Sequence, residues 1–204
     1  MLELYKGVDI LTDVGGVTTI AEARAILEQK LDAVNQEKLA PITNEDALIK
    51  IAAAINMCEP DDVFINTGSA EDVDWIRKYS LEKAEEAPLA KKGHTIHFDL
   101  PQDQARLVNQ TFYIVNEDEK TSALAKKIVR SEGHAYVSEY MKGIMKGKIM
   151  MVGFYARGPV GAQASTPAIE MSSSTYVLHS AELLYRNCYD KFDGEVARRG
   201  IFFT

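Results

Sequence analysis

Met145-Lys146-Gly147-Lys148-Ile149-Met150-Met151-Val152-Gly153-Phe154-Tyr155-Ala156-Arg157-Gly158-Pro159-Val160-Gly161 reads as three pieces in a row. A basic turn leads into a strand, and the strand leads into a loop with glycines on both sides of Pro159. From Ile149 to Phe154 no residue is charged and nothing alternates, which is the pattern of a buried strand. Glycine lets a backbone take positive φ and approach a ligand or a second backbone closely, while proline fixes the shape of the loop it enters. By itself such a loop reads first as a tight structural turn.

Working outward, further strands are expected in Val63–Gly68, a run ending in a glycine turn, and at Thr95–Phe98, Thr111–Val115 and Ala168–Met171, with another at Gly200–Thr204. Helices fall between them. Thr19 with Glu22 three residues on is a capping box, followed by Ile20, Ala23, Leu27, Leu31 and Val34 on one face. Thr43 opens a second helix carrying Leu48, Ile51, Ala52, Ile55 and Cys58 and stopping at Pro60, and Ser69 with Asp72 opens a third. Ser174 caps a fourth, expected from about Tyr176 to Tyr189. Interleaved strands and helices give an α/β protein, a mixed sheet with flanking helices. Two charged stretches, Ala84–Lys92 and Asn116–Thr121, read as mobile or turn-like linkers too short to separate domains.

The chain has 204 residues, a net charge of −7 and two cysteines. That length suits one large domain, here residues 1–204, with residues 1–45 as a helical N-terminal extension. The negative balance argues against nucleic acid as the main partner. No run is long and apolar enough for a membrane span, and the start lacks a secretion signal, so a soluble, cytoplasmic protein is expected. Cys58 and Cys188 have no metal-type spacing and read as reduced, buried thiols. The apolar end, Phe202-Phe203-Thr204, reads as a cut rather than a natural terminus.

No phosphate loop, His-Glu-x-x-His, Gly-x-Ser-x-Gly or Cys-x-x-Cys motif occurs. The four histidines, His94, His97, His134 and His179, are expected to be structural or superficial, and no shared metal is expected for His94 and His97. In Pro101-Gln102-Asp103-Gln104-Ala105-Arg106, an arginine in a loop before a strand is placed to fork onto a carboxylate or phosphate. On spacing alone a surface salt bridge is the commoner reading.

In this order the segments resemble the amino-terminal lobe of GTP-dependent phosphoenolpyruvate carboxykinases. The family's Pro-x-Asp-x-Ala-Arg loop is matched by Pro101, Asp103, Ala105 and Arg106. Its Met-Lys-Gly-basic-x-Met-x-Val run is matched by Met145, Lys146, Gly147, Lys148, Met150 and Val152. Gly158, Pro159 and Gly161 match its Gly-Pro-x-Gly, and Ser174, Tyr176 and Val177 its Ser-x-Tyr-Val helix start. The likeness runs from about Leu48 to Thr204. Val108 stands where the family has glutamate, and Arg157 where it has methionine before the Gly-Pro, as in a divergent branch.

The resemblance implies a lyase of gluconeogenesis that decarboxylates and phosphorylates oxaloacetate, turning it and GTP into phosphoenolpyruvate, carbon dioxide and GDP. It implies GTP and a divalent metal, manganese or magnesium, as cofactors, with their ligands beyond Thr204 in a C-terminal lobe. This chain would then hold no catalytic residue and no metal ligand, and would have little activity alone. It assigns Arg106 to the oxaloacetate or phosphoenolpyruvate anion, with Arg157 as a weaker anion contact. The alternatives are a free-standing, non-catalytic anion-binding module of the same fold, or an interaction scaffold.

Overall fold

The computed structural model describes residues 10–100 and 111–204. In chain order come α1 (Ile10–Gly15), α2 (Ile20–Lys30), α3 (Ala33–Leu39), α4 (Glu45–Cys58), β1 (Asp62–Asn66) and α5 (Ala70–Glu82). Next are β2 (Ala87–Pro88), β3 (Thr95–Ile96), β4 (Tyr113–Val115), β5 (Lys127–Val129) and α6 (Arg130–Met141). The last are β6 (Ile149–Arg157), β7 (Thr166–Ser172), α7 (Thr175–Leu184), β8 (Arg186–Asn187) and α8 (Phe192–Arg199).

The run that reads as a buried strand is β6, and every residue from Met150 to Ala156 is buried. Side chains alternate across a strand, and here the alternation divides β6 between two cores. Met150, Val152 and Phe154 enter a larger core with Leu27 of α2, Ile51 and Ile55 of α4, and Phe192 of α8. Met151 and Tyr155 enter a smaller one with Ile76 of α5 and Leu178 and Ala181 of α7. Helices therefore cover both faces, and each fully buried aliphatic or phenylalanine side chain contributes roughly 1.5–3 kcal/mol of transfer free energy.

The edges of β6 are shared among three strands. β7 runs antiparallel along one edge from Met151↔Ser172 to Arg157↔Thr166. Along the other, β1 runs parallel from Asp62↔Ile149 to Asn66↔Gly153. Where β1 stops, β8 takes over antiparallel at Tyr155↔Asn187 and Ala156↔Arg186. The outer edge of β1 is blocked by a side chain: buried Asn35 accepts the Ile65 N–H at 2.8 Å, so this strand offers less of an edge to another chain.

The helices of residues 10–42 belong to the same larger core, through Val17, Ala23, Leu27, Leu31, Leu39 and Ile42. α1 lies directly on α4, since a Cβ on Gly15 would sit 2.5 Å from the Ala53 carbonyl oxygen. The Thr19–Glu22 capping box is present, and Ser69 caps α5. Thr43 does not open α4: Asn44 does, accepting from the Ala47 N–H at 2.9 Å. Thr43 is instead spent on α8, where its N–H and hydroxyl both donate to Asp193 Oδ2 at 2.6 Å.

α7 ends at Leu184, five residues before the expected Tyr189, because the chain turns extended at Tyr185 to supply β8. The pairing needs of β6 override the local helical pattern. Ala84–Lys92 is not a mobile linker, for it carries β2 of a hairpin with β3 and the buried Glu86. The expected strand at Gly200–Thr204 is reduced to one bridge, Ala168↔Phe203, with Ile169 N–H donating to the Phe203 carbonyl at 2.8 Å. Burial pushes the Cys188 thiol up to about 11 and the Cys58 thiol above its ordinary value, so both are inert free thiols.

The junction between β1 and β8 is closed by Gly68, at φ +76°, against Asn187. A Cβ there would lie 1.7 Å from Asn187 Nδ2, which donates to the Thr67 carbonyl at 3.0 Å. Gly68→Ala therefore meets a left-handed backbone cost and a clash together, and should lose at least about 2 kcal/mol. Adding Asn187→Ala should restore part of that loss. Urea midpoints of the three variants check it, and a Gly68→Ala protein as stable as the parent would refute the seam.

Candidate functional site: the polar anchorage beside residues 101–110

Arg106 and its loop, Pro101 to Arg106, lie outside the described residues. What the structure describes is the chain on either side. Before it stands the β2–β3 hairpin, whose Leu89, Phe98 and Leu100 are exposed; between residues 84 and 100 no apolar side chain joins either core. The hairpin is held by polar groups instead.

Two adjacent glutamates do the holding. Glu85 Oε2 accepts the Ser174 hydroxyl at 2.7 Å and the Tyr176 N–H at 3.1 Å, capping the N-terminus of α7 with a full negative charge. Ser174 also accepts the Val177 N–H as the ordinary cap. Glu86 is buried; its two oxygens meet His179 Nδ1 at 3.0 and 2.9 Å, and Oε1 also accepts the Thr95 hydroxyl at 2.8 Å. Burial pushes the Glu86 carboxyl up, but its polar surroundings, with Ser80, His179 and Thr95 around it, outweigh that and leave the group below its ordinary value. His97 completes the anchorage: its ring stacks on Tyr176 at 3.7 Å and meets the Glu85 carbonyl through Nδ1 and Asp99 through Nε2.

After the loop, β4 pairs in parallel with β5, from Tyr113↔Lys127 to Val115↔Val129. Ile114 packs on Gly133 of α6, where a Cβ would come within 3.3 Å of its side chain.

The glycine-framed turn sits elsewhere on β6. Gly158 and Gly161 take positive φ, 95° and 85°, and the Gly161 N–H donates to Glu195 Oε1 at 3.1 Å. Arg198 Nη2 meets Glu195 Oε2 at 2.6 Å, and Arg199 donates to the Gln163 carbonyl at 3.0 Å. Arg157 is exposed, 5.2 Å over the Tyr185 ring, with no ion pair to any described residue. At the β1–β8 seam, Asn66 Nδ2 donates to Glu182 Oε1 at 2.6 Å and to the Tyr155 hydroxyl at 3.0 Å, while Tyr155 donates to the same carboxylate oxygen at 2.9 Å. Burial, with the Glu182 carboxylate beside it, pushes the Tyr155 phenol far up, so it stays a proton donor.

Among the described residues no three of His, Cys, Asp and Glu converge as a metal shell, and none of their helices is long and apolar enough to cross a membrane. His94 is exposed, and His134 lies 3.7 Å from Asp13. The residues that the sequence alone did not single out are Glu85 and Glu86. Their run reads as a solvated linker, and nothing local marks two glutamates as partners of Ser174 and His179 about ninety positions on.

The sequence family model described as the phosphoenolpyruvate carboxykinase N-terminal domain matches residues 50–204. The chain belongs to the phosphoenolpyruvate carboxykinase family. The "Phosphoenolpyruvate carboxykinase [GTP]" of Saccharolobus solfataricus is 40% identical over 161 residues, covering 79% of this chain and 26% of that protein. The protein of the same name from Thermococcus kodakarensis is 37% identical over 177 residues, covering 87% and 28%. That from Sulfurisphaera tokodaii is 42% identical over 144 residues, covering 71% and 23%. The chain spans about a quarter of the length of these relatives, and the matched part is an N-terminal domain.

Within the carboxykinase domain, the Glu195 clamp on the Gly158–Gly161 turn has a testable sign. The Arg198 bond, helped by the Gly161 N–H, overcomes burial and holds the Glu195 carboxyl down at about 2, against an ordinary 4.5. A depressed folded value means the stabilisation is full above pH 4.5 and is lost as the pH falls toward 2. Glu195→Gln should lower the urea midpoint at pH 7, and its gap from the parent should narrow steadily below pH 4.5. A gap unchanged down to pH 3 would rule the clamp out.

Proposed function

We propose that this chain is the substrate-holding lobe of a cytoplasmic, GTP-dependent phosphoenolpyruvate carboxykinase, which converts oxaloacetate and GTP to phosphoenolpyruvate, carbon dioxide and GDP. The observation that carries the reading is the family match across residues 50–204, which includes the whole Pro101–Arg106 motif. The anchorage supports it, because the chain leading into that motif is fastened to the Ser174-x-Tyr176-Val177 helix start, a second family motif about seventy positions away.

Oxaloacetate and phosphoenolpyruvate are small and multiply negative at neutral pH. Arg106 brings a permanently charged, planar fork that matches a carboxylate or phosphate with two parallel hydrogen bonds. Its task is to bind and orient the anion, and Arg157, exposed and free of ion pairs among the described residues, is a weaker second contact. The described residues do not fit a metal shell. On this reading the groups for the metal and for GTP belong to a C-terminal lobe, and this chain alone turns over no substrate.

Calorimetric titration of the chain with phosphoenolpyruvate tests the assignment. Arg106→Ala should weaken binding at least about tenfold, Arg106→Lys should recover only part because the fork is lost, and Arg157→Ala should weaken it less. Equal binding by parent and Arg106→Ala would remove Arg106 from the site. No binding by the parent would leave the chain a scaffold.

A further inference from the structure

On the far side of the larger core, α2, α3 and α4 surround an open cavity of about 390 Å³. Its floor is aliphatic: Leu27, Leu31, Leu39, Ile42 and Leu48, all buried. Arg24 and Glu28 line its mouth from successive turns of α2. Two other polar residues border it, and both are already spent. Gln36 donates to the Glu28 and Leu31 carbonyls at 3.0 and 2.8 Å, and Thr43 is committed to Asp193.

Arg24 and Glu28 are different. Among the described residues neither side chain makes a hydrogen bond or an ion pair, although they stand at i and i+4. Elsewhere in the molecule such a pair does close, Asp74 with Lys78 at 2.6 Å. There the acid precedes the base; in α2 the base comes first, the weaker orientation. The mouth thus presents a cation and an anion that no described residue engages, above an aliphatic floor, in a cavity of ligand size.

We infer that this cavity binds a free aliphatic α-amino acid, with the carboxylate on Arg24, the ammonium on Glu28 and a leucine-like side chain on the floor. A fatty acid would leave Glu28 without a partner beside its own carboxylate, and an alkylamine would do the same to Arg24. A zwitterion complements both charges at once. The cavity shares no residue with the hairpin anchorage, and the inference does not depend on what Arg106 holds.

Ligand-observed NMR of the 204-residue chain with L-leucine, L-leucinamide and 4-methylpentanoate tests this directly. Leucine should bind in the millimolar range, and the two single-charge analogues at least about tenfold more weakly. Arg24→Gln and Glu28→Gln should each weaken leucine by a similar factor. Ala40, exposed at the cavity wall, provides a variant that spares the core: Ala40→Phe should abolish binding with the melting temperature unchanged. Absence of leucine binding, equal binding of either analogue, or binding indifferent to both charge variants would each overturn the assignment.

Discussion

The burial of one strand on both faces is the constraint from which the rest of this domain follows. β6 presents seven consecutive buried residues, and a strand without a wet face must be covered twice and paired on both edges. The odd and even positions accordingly recruit two separate sets of helices. β7 alone serves one edge, but on the other no single neighbour is long enough. β1 serves the first half and β8 the second, and the place where they meet has to be made compact with a glycine and an asparagine.

That seam explains several residues with no obvious role in sequence. Gly68 suits its place because its φ of +76° favours glycine and the Asn187 side chain lies where a Cβ would be. Asp72, placed as a first-turn helix acid, reaches back to take the Thr67 N–H and hydroxyl and the Lys38 ammonium. Burial pushes its carboxyl up, but these bonds hold it below the ordinary value. Lys38 in turn lies over the Phe64 ring. Charge is used here to finish a joint between strands, with every polar atom of Asp72 paired, as a buried carboxylate requires.

The parts of the fold legible in sequence were those written in local, repeating signals. Thr19 with Glu22, Ser69 and Ser174 mark helix starts because a cap is a contact within three residues. β6 is legible because continuous burial leaves continuous apolar sequence. What escaped was set by distant partners. α7 looks helical through Tyr189, yet its last residues are taken by β6. Thr43 looks like a cap, yet Asp193 claims it, and Asn44 one position later does the capping. Helices α3 and α8 are only seven and eight residues long, so their apolar stripes are too short to read. Of the candidate site, Arg106 was visible only through its motif. Glu85 and Glu86 look like solvent-facing charge until α7 is folded beside them.

The contrast between the core and the hairpin has a functional logic. Segments built into the two cores can open only at a cost close to that of global unfolding, because many buried apolar contacts must be lost together. The hairpin before residues 101–110 gives none of its apolar side chains to either core; it is pinned by two carboxylates, an imidazole and a stacked ring. Each such contact is directional and falls off within a few tenths of an ångström, so together they specify position well while contributing modest net stability. Segments held this way belong to the low-stability end of a structure, where binding elements tend to be found. On the function proposed above, presenting a charged side chain to an anion gains from that arrangement: the hairpin leading to it is oriented by hydrogen-bond geometry, and the rigid cores beneath are left undisturbed.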